Sequence, residues 1–159
     1  MIVHPGGPFW AKKDLSAWSI PKGEFTEDES PLDAAIREFS EETGVQVRGT
    51  FIQLTPIKQK SGKIVYPFAL EHDLDPTKII SNTFTIEWPP KSGKMQEFPE
   101  IDKGEWFDYS TCKQKLNESQ STIIDELVKK LNLDSNLIVR KLSNDSKKKK
   151  SRDSQLDLF

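Results

Sequence analysis

The segment from Ser30 to Gly44 constrains the chain more than any other, because its helical pattern and its charges make opposite demands. Ser30 is a good N-cap, Pro31 suits the first helical position, Asp33 complements the first turn and Gly44 supplies a stop, which predicts a helix between them. Leu32, Ala35, Ile36 and Phe39 recur at helical spacing and claim one face for a core. Glu38, Glu41 and Glu42 stand at i, i+3 and i+4 and share another face, where like charges repel and Arg37 relieves only part of the strain as a neighbour of Glu41. The acids are therefore expected at the exposed rim of the helix. Two readings follow. A solvated acidic face needs no ligand. A hard divalent cation, Mg2+ or Mn2+, would instead take the carboxylate oxygens and keep places for water and phosphate oxygens, as phosphoryl transfer requires.

Around that helix the punctuation is of α/β type. Met1 to Pro5 reads as the end of a strand that breaks at Gly6-Gly7-Pro8, and Ala17 to Pro21 as a short strand leading into a loop. Val45 to Leu54 and Ile64 to His72 are predicted to form a hairpin with its turn at Ser61-Gly62-Lys63. A strand over Ser81 to Trp88, a loop rich in Pro and Gly from Pro89 to Gly104, and a short strand over Glu105 to Asp108 follow. Ile123, Ile124, Leu127, Val128 and Leu131 form an apolar stripe, so a second amphipathic helix is expected from Glu118 to Leu131.

The chain of 159 residues has the size of one domain, and its 35% hydrophobic and 30% charged content is lean for a globular protein. The leanness is local. Lys141 to Asp153 holds six basic side chains, two acidic ones and a single apolar one, Leu142, so the net charge of −2 combines about +4 there with about −6 elsewhere. The expected organisation is a domain over 1–140, a disordered basic linker over 141–154 and a terminal peptide over 155–159. No run approaches the roughly 18 apolar residues of a membrane span, and the start lacks the pattern of a signal peptide, so a soluble cytoplasmic protein is expected. Cys112 has no partner for an internal disulfide and reads as a packed thiol. His4 and His72 read as surface or loop positions, at no metal-ligand spacing from it.

From Gly23, five residues lead to Glu29, seven more lead to Arg37, and Glu38, Phe39, Ser40, Glu41, Glu42, Thr43, Gly44 and Val45 follow. This resembles the signature of the Nudix hydrolases, with nine constrained positions matched over 23 residues. Met1 to about Leu133 also resembles a bacterial branch of NTP pyrophosphohydrolase-like members, through Val3-His4-Pro5-Gly6-Gly7-Pro8, Trp18-Ser19-Ile20-Pro21-Lys22-Gly23 and Glu97-Phe98-Pro99-Glu100. The resemblance implies an α/β/α sandwich around a mixed sheet. It implies that Glu38, Glu41 and Glu42 hold Mg2+ or Mn2+ with help from the main-chain carbonyl of Lys22, that Gly23 permits close approach, and that Glu29 and Arg37 brace the loop against the helix. It also implies a further carboxylate from a loop at a set distance before a tryptophan. Here Trp106 is so preceded by Glu100, with Glu97 as second choice, and either Glu100 or Glu41 would act as general base, Glu100 being favoured because a loop residue can close over substrate.

Implied substrates are nucleoside diphosphates linked to another group, such as dinucleoside polyphosphates or damaged nucleoside triphosphates. A regulatory nucleotide-binding protein of the same fold and an RNA 5′-end pyrophosphohydrolase are the alternatives. Phe9 and Trp10 are candidates for stacking on a base, and Lys12, Lys13, Lys58 and Lys60 for further phosphates, while the aromatics serve a core equally well. Relatives of this branch normally carry a first sheet strand before the segment matching Ile2-Val3-His4-Pro5, so the fold is expected to be truncated there, or the start to be assigned too late. The final Gln155-Leu156-Asp157-Leu158-Phe159 resembles the pentapeptide by which bacterial replication and repair proteins dock on the DNA sliding clamp. Leu158 and Phe159 would enter an apolar pocket, with Leu156 and the hydrogen-bonding Gln155 beside them.

Overall fold

A computed structural model describes residues 1–133 of the chain. The linker over 141–154 and the terminal peptide over 155–159 lie outside the described residues. The content is mixed helix and strand: β1 (Ile2–Pro5), α1 (Pro31–Thr43), β2 (Ile52–Gln53), β3 (Ile57–Lys58), β4 (Ile64–Val65), β5 (Phe68–Ala69), β6 (Thr83–Glu87), β7 (Met95–Pro99), β8 (Ile101–Glu105), α2 (Tyr109–Lys115) and α3 (Ser121–Lys130). Among the described residues no helix is long and apolar enough to cross a membrane.

The strands pair two by two, all antiparallel: β1 with β8, β2 with β5, β3 with β4, and β6 with β7. The segment expected as a strand over Ala17 to Pro21 is reduced to two single bridges, but these are central. Val3 and Ser19 exchange both backbone hydrogen bonds at 2.8 and 2.9 Å, while Trp18 pairs in parallel with Leu116, donating to Lys115 O at 3.0 Å and accepting from Asn117 N–H at 2.8 Å. The order β8, β1, 17–20 and the exit from α2 thereby becomes one continuous hydrogen-bonded layer. Ile2, Ala17, Trp18, Cys112 and Leu116 are buried together beneath it, with Phe107 and Ile124 packed against them. The Trp18 ring meets Phe107 edge to face at 5.0 Å and donates its indole N–H to Asp14 at 2.9 Å, so its one polar atom is satisfied. Cys112 is a buried free thiol.

Three expectations are corrected. The stretch from Pro89 to Gly104 is not a loop, since it contains β7 and most of β8; Gly104 marks no turn but a close approach, because a Cβ there would overlap the Ile79 side chain. The strand expected over Glu105 to Asp108 ends at Glu105, and Asp108 instead caps α2 by accepting from Thr111 N–H at 2.9 Å. His4 is buried, with Nδ1 2.7 Å from Asp102 Oδ1 and Nε2 2.8 Å from the Lys13 carbonyl, tying the loop after β1 to β8. Of the hairpin expected from Val45 to His72, residues 45–51 are in no strand, and the part from Ile52 to Ala69 forms in two short ladders. Pro56 and Pro67, which lack the N–H a ladder needs, lie between them. The helix expected from Glu118 begins as a 3-10 turn over Glu118–Gln120 and becomes α3 at Ser121.

Because Trp18 and Leu116 are the buried centre of this layer, truncating either leaves a void that short bridges cannot close. Leu116→Ala is expected to lower the unfolding free energy by about 2–5 kcal/mol and Trp18→Ala by about 3–5 kcal/mol. Urea denaturation followed by circular dichroism measures this, with an unchanged midpoint counting against the assignment of the core.

Candidate active site on the acidic helix

Local rules build α1 as the sequence predicts. Ser30 is extended and accepts from Asp33 N–H at 3.1 Å, Pro31 opens the helix, and Gly44 closes it at φ 72°, donating to Ser40 O at 2.8 Å. The apolar residues Leu32, Ala35, Ile36 and Phe39 are half-buried, and Ala34, Glu42 and Thr43 are the buried positions. The acids therefore do not share an exposed rim. The Glu41 side chain is 41% exposed and that of Glu38 14%, whereas Glu42 as a residue is 8% exposed.

Arg37 lies against this face and uses every donor of its guanidinium. Nε and Nη2 each donate to Glu29 at 3.0 Å, Nη2 also donates to Glu24 O at 2.9 Å, and Nη1 donates to Glu38 at 2.7 Å and Glu41 at 3.2 Å. The paired bonds to Glu29 are the planar fork that arginine alone offers. They hold the Glu29 carboxyl below the usual glutamate range and the guanidinium above its ordinary value.

Glu42 has a different partner. Lys22 N–H donates to its Oε2 at 2.9 Å. Burial pushes the Glu42 carboxyl up to about 7; the Lys22 bond and charge pull it back, and the charges of Glu38 and Glu100 add to the rise. Next to Lys22, a Cβ on Gly23 would overlap the Glu38 carboxylate, so the absence of a side chain at that position is what gives that carboxylate room against the loop. Glu100 is brought near by backbone alone: Asn82 N–H donates to Glu41 O at 3.1 Å, Glu100 N–H to Asn82 O at 2.8 Å, and Gly6 N–H to Glu100 O at 2.8 Å. Its side chain is exposed. Glu97, on β7 opposite Thr85, is instead bound by the Thr83 hydroxyl.

A cavity of about 760 Å³ opens beside this face, and its lining includes Lys22, Gly23 and Glu38 as well as apolar side chains such as Leu54, Phe68 and Ile123. Phe9, Trp10, Lys12 and Lys58 are not among its lining residues. Phe9 stacks edge to face on Trp88 at 5.2 Å, Trp10 lies under the Lys13 ammonium at 4.5 Å, Lys12 and Lys58 are exposed, and Lys60 pairs with Glu118 at 2.8 Å. The lining residues for which sequence reasoning expected no site role include Glu24, Phe25, Gln59, Lys63, Tyr66 and His72. One signal was available for Phe25, an isolated aromatic in an otherwise polar stretch two residues after Gly23.

Among known families, the chain matches the NUDIX domain over residues 5–127. It belongs to the Nudix family. It is 30% identical over 106 residues to an RNA pyrophosphohydrolase of Bartonella tribocorum, covering 57% of this chain and 56% of that protein. It is 55% identical over 38 residues to an RNA pyrophosphohydrolase of Thioalkalivibrio sulfidiphilus, covering 23% of this chain and 22% of the relative. A third similarity, 52% over 44 residues, is to the mRNA-decapping protein g5R of African swine fever virus, covering 28% of this chain and 17% of the relative. The chain thus spans between 17% and 56% of the length of these relatives. No solved structure matches it significantly.

Nudix enzymes generally use divalent metal ions, and the donor set of α1 can be tested against one. Among the described residues no three His, Cys, Asp or Glu side chains are gathered tightly enough to hold a metal as they stand. The reason is visible in the bonds: Arg37 holds Glu38 and Glu41, while Lys22 holds Glu42. In kind the Nudix acids fit a hard cation. All are oxygen donors, and a carboxyl driven up by burial and by neighbouring acids is one that a cation would return to its ionised form.

Two outcomes follow from this Nudix geometry. Gly23→Ala displaces only the flexible end of Glu38, so the melting temperature should stay close to that of the parent while Mn2+ affinity, read by titration calorimetry, falls about ten-fold or more. For Glu42, the folded protein in chelator binds the proton more tightly than the unfolded chain. That stabilisation is complete below the ordinary value of 4.5 and is lost as pH rises through about 7. Thermal melts in chelator should decline across that window by the equivalent of up to about 3 kcal/mol. Glu42→Gln should flatten the decline; an equal slope in the variant would assign the effect to other groups.

Proposed function

We propose that the chain is a metal-dependent pyrophosphohydrolase acting on a nucleoside-diphosphate-linked substrate. The observation that carries the proposal is the buried Glu42 carboxyl, held by Lys22 N–H and flanked by the charges of Glu38 and Glu100, inside a matched Nudix domain. Glu38, Glu41 and Glu42, with the Lys22 carbonyl, would hold Mg2+ or Mn2+, which when bound neutralises a diphosphate and makes a water more acidic. Arg37 and Glu29 keep the loop seated on the helix, and Gly44 ends the helix where Asn82 joins it. Glu100 takes the proton of the attacking water, because it is exposed, lies close enough to Glu42 to raise its pKa, and is engaged by no side chain among the described residues. Glu97 is the weaker choice, since Thr83 already binds it.

The relatives' names favour RNA as substrate: two are RNA pyrophosphohydrolases and one an mRNA-decapping protein. A nucleoside triphosphate or dinucleoside polyphosphate is the second reading, the latter because Pro21-Lys22-Gly23 at the head of the signature resembles that of members that hydrolyse dinucleoside polyphosphates. A purely regulatory nucleotide-binding role is disfavoured by the intact acids. On this reading the helices and paired strands form the α/β/α sandwich of the family, the enzyme works in the cytoplasm, and Gln155, Leu156, Leu158 and Phe159 dock it on a sliding clamp. The last element rests on the sequence and on nothing in the described residues.

The test is a panel of triphosphorylated RNA, normal and oxidised nucleoside triphosphates, dinucleoside polyphosphates and nucleotide sugars with Mg2+, read by phosphate or pyrophosphate release. At least one class should turn over, with kcat reduced about 10²-fold or more in Glu42→Gln, Glu41→Gln and Glu100→Gln. No turnover anywhere, or variants as active as the parent, would remove the hydrolase reading.

A further inference from the structure

The cavity is lined by Lys22, Gly23 and Glu38 of the acidic site together with many apolar side chains, which suits a ligand that is anionic in one part and flat and apolar in another. Its lining also includes two aromatic rings with no place in the core. Phe25 is 40% exposed and Tyr66 37% exposed, both line the cavity, and their rings meet edge to face at 5.8 Å and 81°. They come from separate parts of the chain. Phe25 belongs to the loop that begins at Gly23, against Glu38, and Tyr66 follows β4. A second link joins the same two segments, the ion pair between Glu24 and Lys63. Both of its side chains are largely exposed, so it contributes little to stability and serves mainly to keep the loop and hairpin abreast.

Burying both rings against solvent would stabilise the fold, since large aromatic surface removed from water is among the main favourable contributions to folding. Nothing in the fold does so, although Val65 and Pro67 on either side of Tyr66 are half-buried and buried. Two rings left open on the wall of a large cavity, beside carboxylates that would hold a diphosphate, match the needs of base stacking. The geometry points to Phe25 and Tyr66 as the stacking platform for the nucleobase next to the scissile diphosphate, and therefore as specificity-determining residues. This rests on the pyrophosphohydrolase reading for the placing of the diphosphate. Base–aromatic stacking accepts any base, so the platform selects nucleotides over base-free polyphosphates rather than one base over another.

The experiment compares binding with turnover in the full chain. Adenosine 5′-(α,β-methylene)triphosphate, whose α–β bridge cannot be hydrolysed, and inorganic triphosphate, each with Mg2+, are titrated by calorimetry into the parent, Phe25→Leu, Tyr66→Leu and Tyr66→Phe. The parent should bind the nucleotide at least about ten-fold more tightly than inorganic triphosphate. Each Leu variant, which keeps apolar volume, should lose most of that preference with unchanged affinity for inorganic triphosphate and an unchanged melting temperature, and Tyr66→Phe should retain it. A merely structural role would weaken both ligands together, and that result overturns the inference, as does a parent with no preference or Leu variants that keep it. Hydrolysis of the panel above is assayed in parallel. Turnover with Leu variants that bind like the parent discards the platform and leaves the hydrolase standing; loss of preference in a chain without turnover keeps the platform and discards the hydrolase.

Discussion

The arrangement depends on the saturation of one guanidinium. Arg37 joins Glu29 and the Glu24 carbonyl in the loop to Glu38 and Glu41 on the helix, so five bonds pin a polar loop to a polar helix face that has little apolar surface to hold it. A lysine could not reproduce this, because its three donors radiate from a point and cannot match the planar carboxylate of Glu29 while reaching two further acids. The loop so held places Gly23 on Glu38 and Lys22 N–H on Glu42. Remove the guanidinium and Glu38 and Glu41 face each other uncompensated, one turn apart.

The same loop is anchored from its other side by the core. Ile20 N–H donates to the buried side chain of Gln120 at 3.0 Å, Ser19 is paired with Val3, and Trp18 with Leu116. Five consecutive residues, Trp18 to Lys22, thus pass from the most buried indole of the protein to the N–H that holds a buried carboxyl. The path from core to site is short and entirely backbone, which keeps Glu42 in place although burial raises its pKa. Rigidity at the loop's origin and openness at Phe25, where it leaves the helix, are properties of one segment.

What was legible in the sequence was what neighbours along the chain decide. The limits of α1 followed from Ser30, Pro31 and Gly44, because caps are local, and the hairpin turn followed from Gly62, whose φ of 90° suits a glycine. What was hidden depends on distant partners. β8 contains Asp102, Lys103 and Gly104 and has no strand pattern of its own; it is a strand because β1 lies beside it and Ile79 fills the space above Gly104. The burial of Glu42 depends on Lys22, twenty residues away, and His4 is drawn inward by Asp102, ninety-eight residues away. Helical spacing places acids on a face but does not say which of them the rest of the chain will cover.

That distinction also explains how three similar acids come to be held differently. Glu41, the most exposed, shares Arg37 and is the member most open to solvent; Glu38 lies under Gly23 and also binds Arg37; Glu42 is buried and bound by backbone alone. Glu100 adds a fourth charge whose position is set by hydrogen bonds from Asn82 and Gly6 rather than by its own side chain. A carboxylate fixed in place by its backbone and exposed at its tip is open to a new partner, while one engaged by a guanidinium or covered by a loop has bonds to exchange first. The i, i+3, i+4 spacing that first drew attention to α1 thus accounts for the nearness of these carboxyls but not for the differences in how each is held.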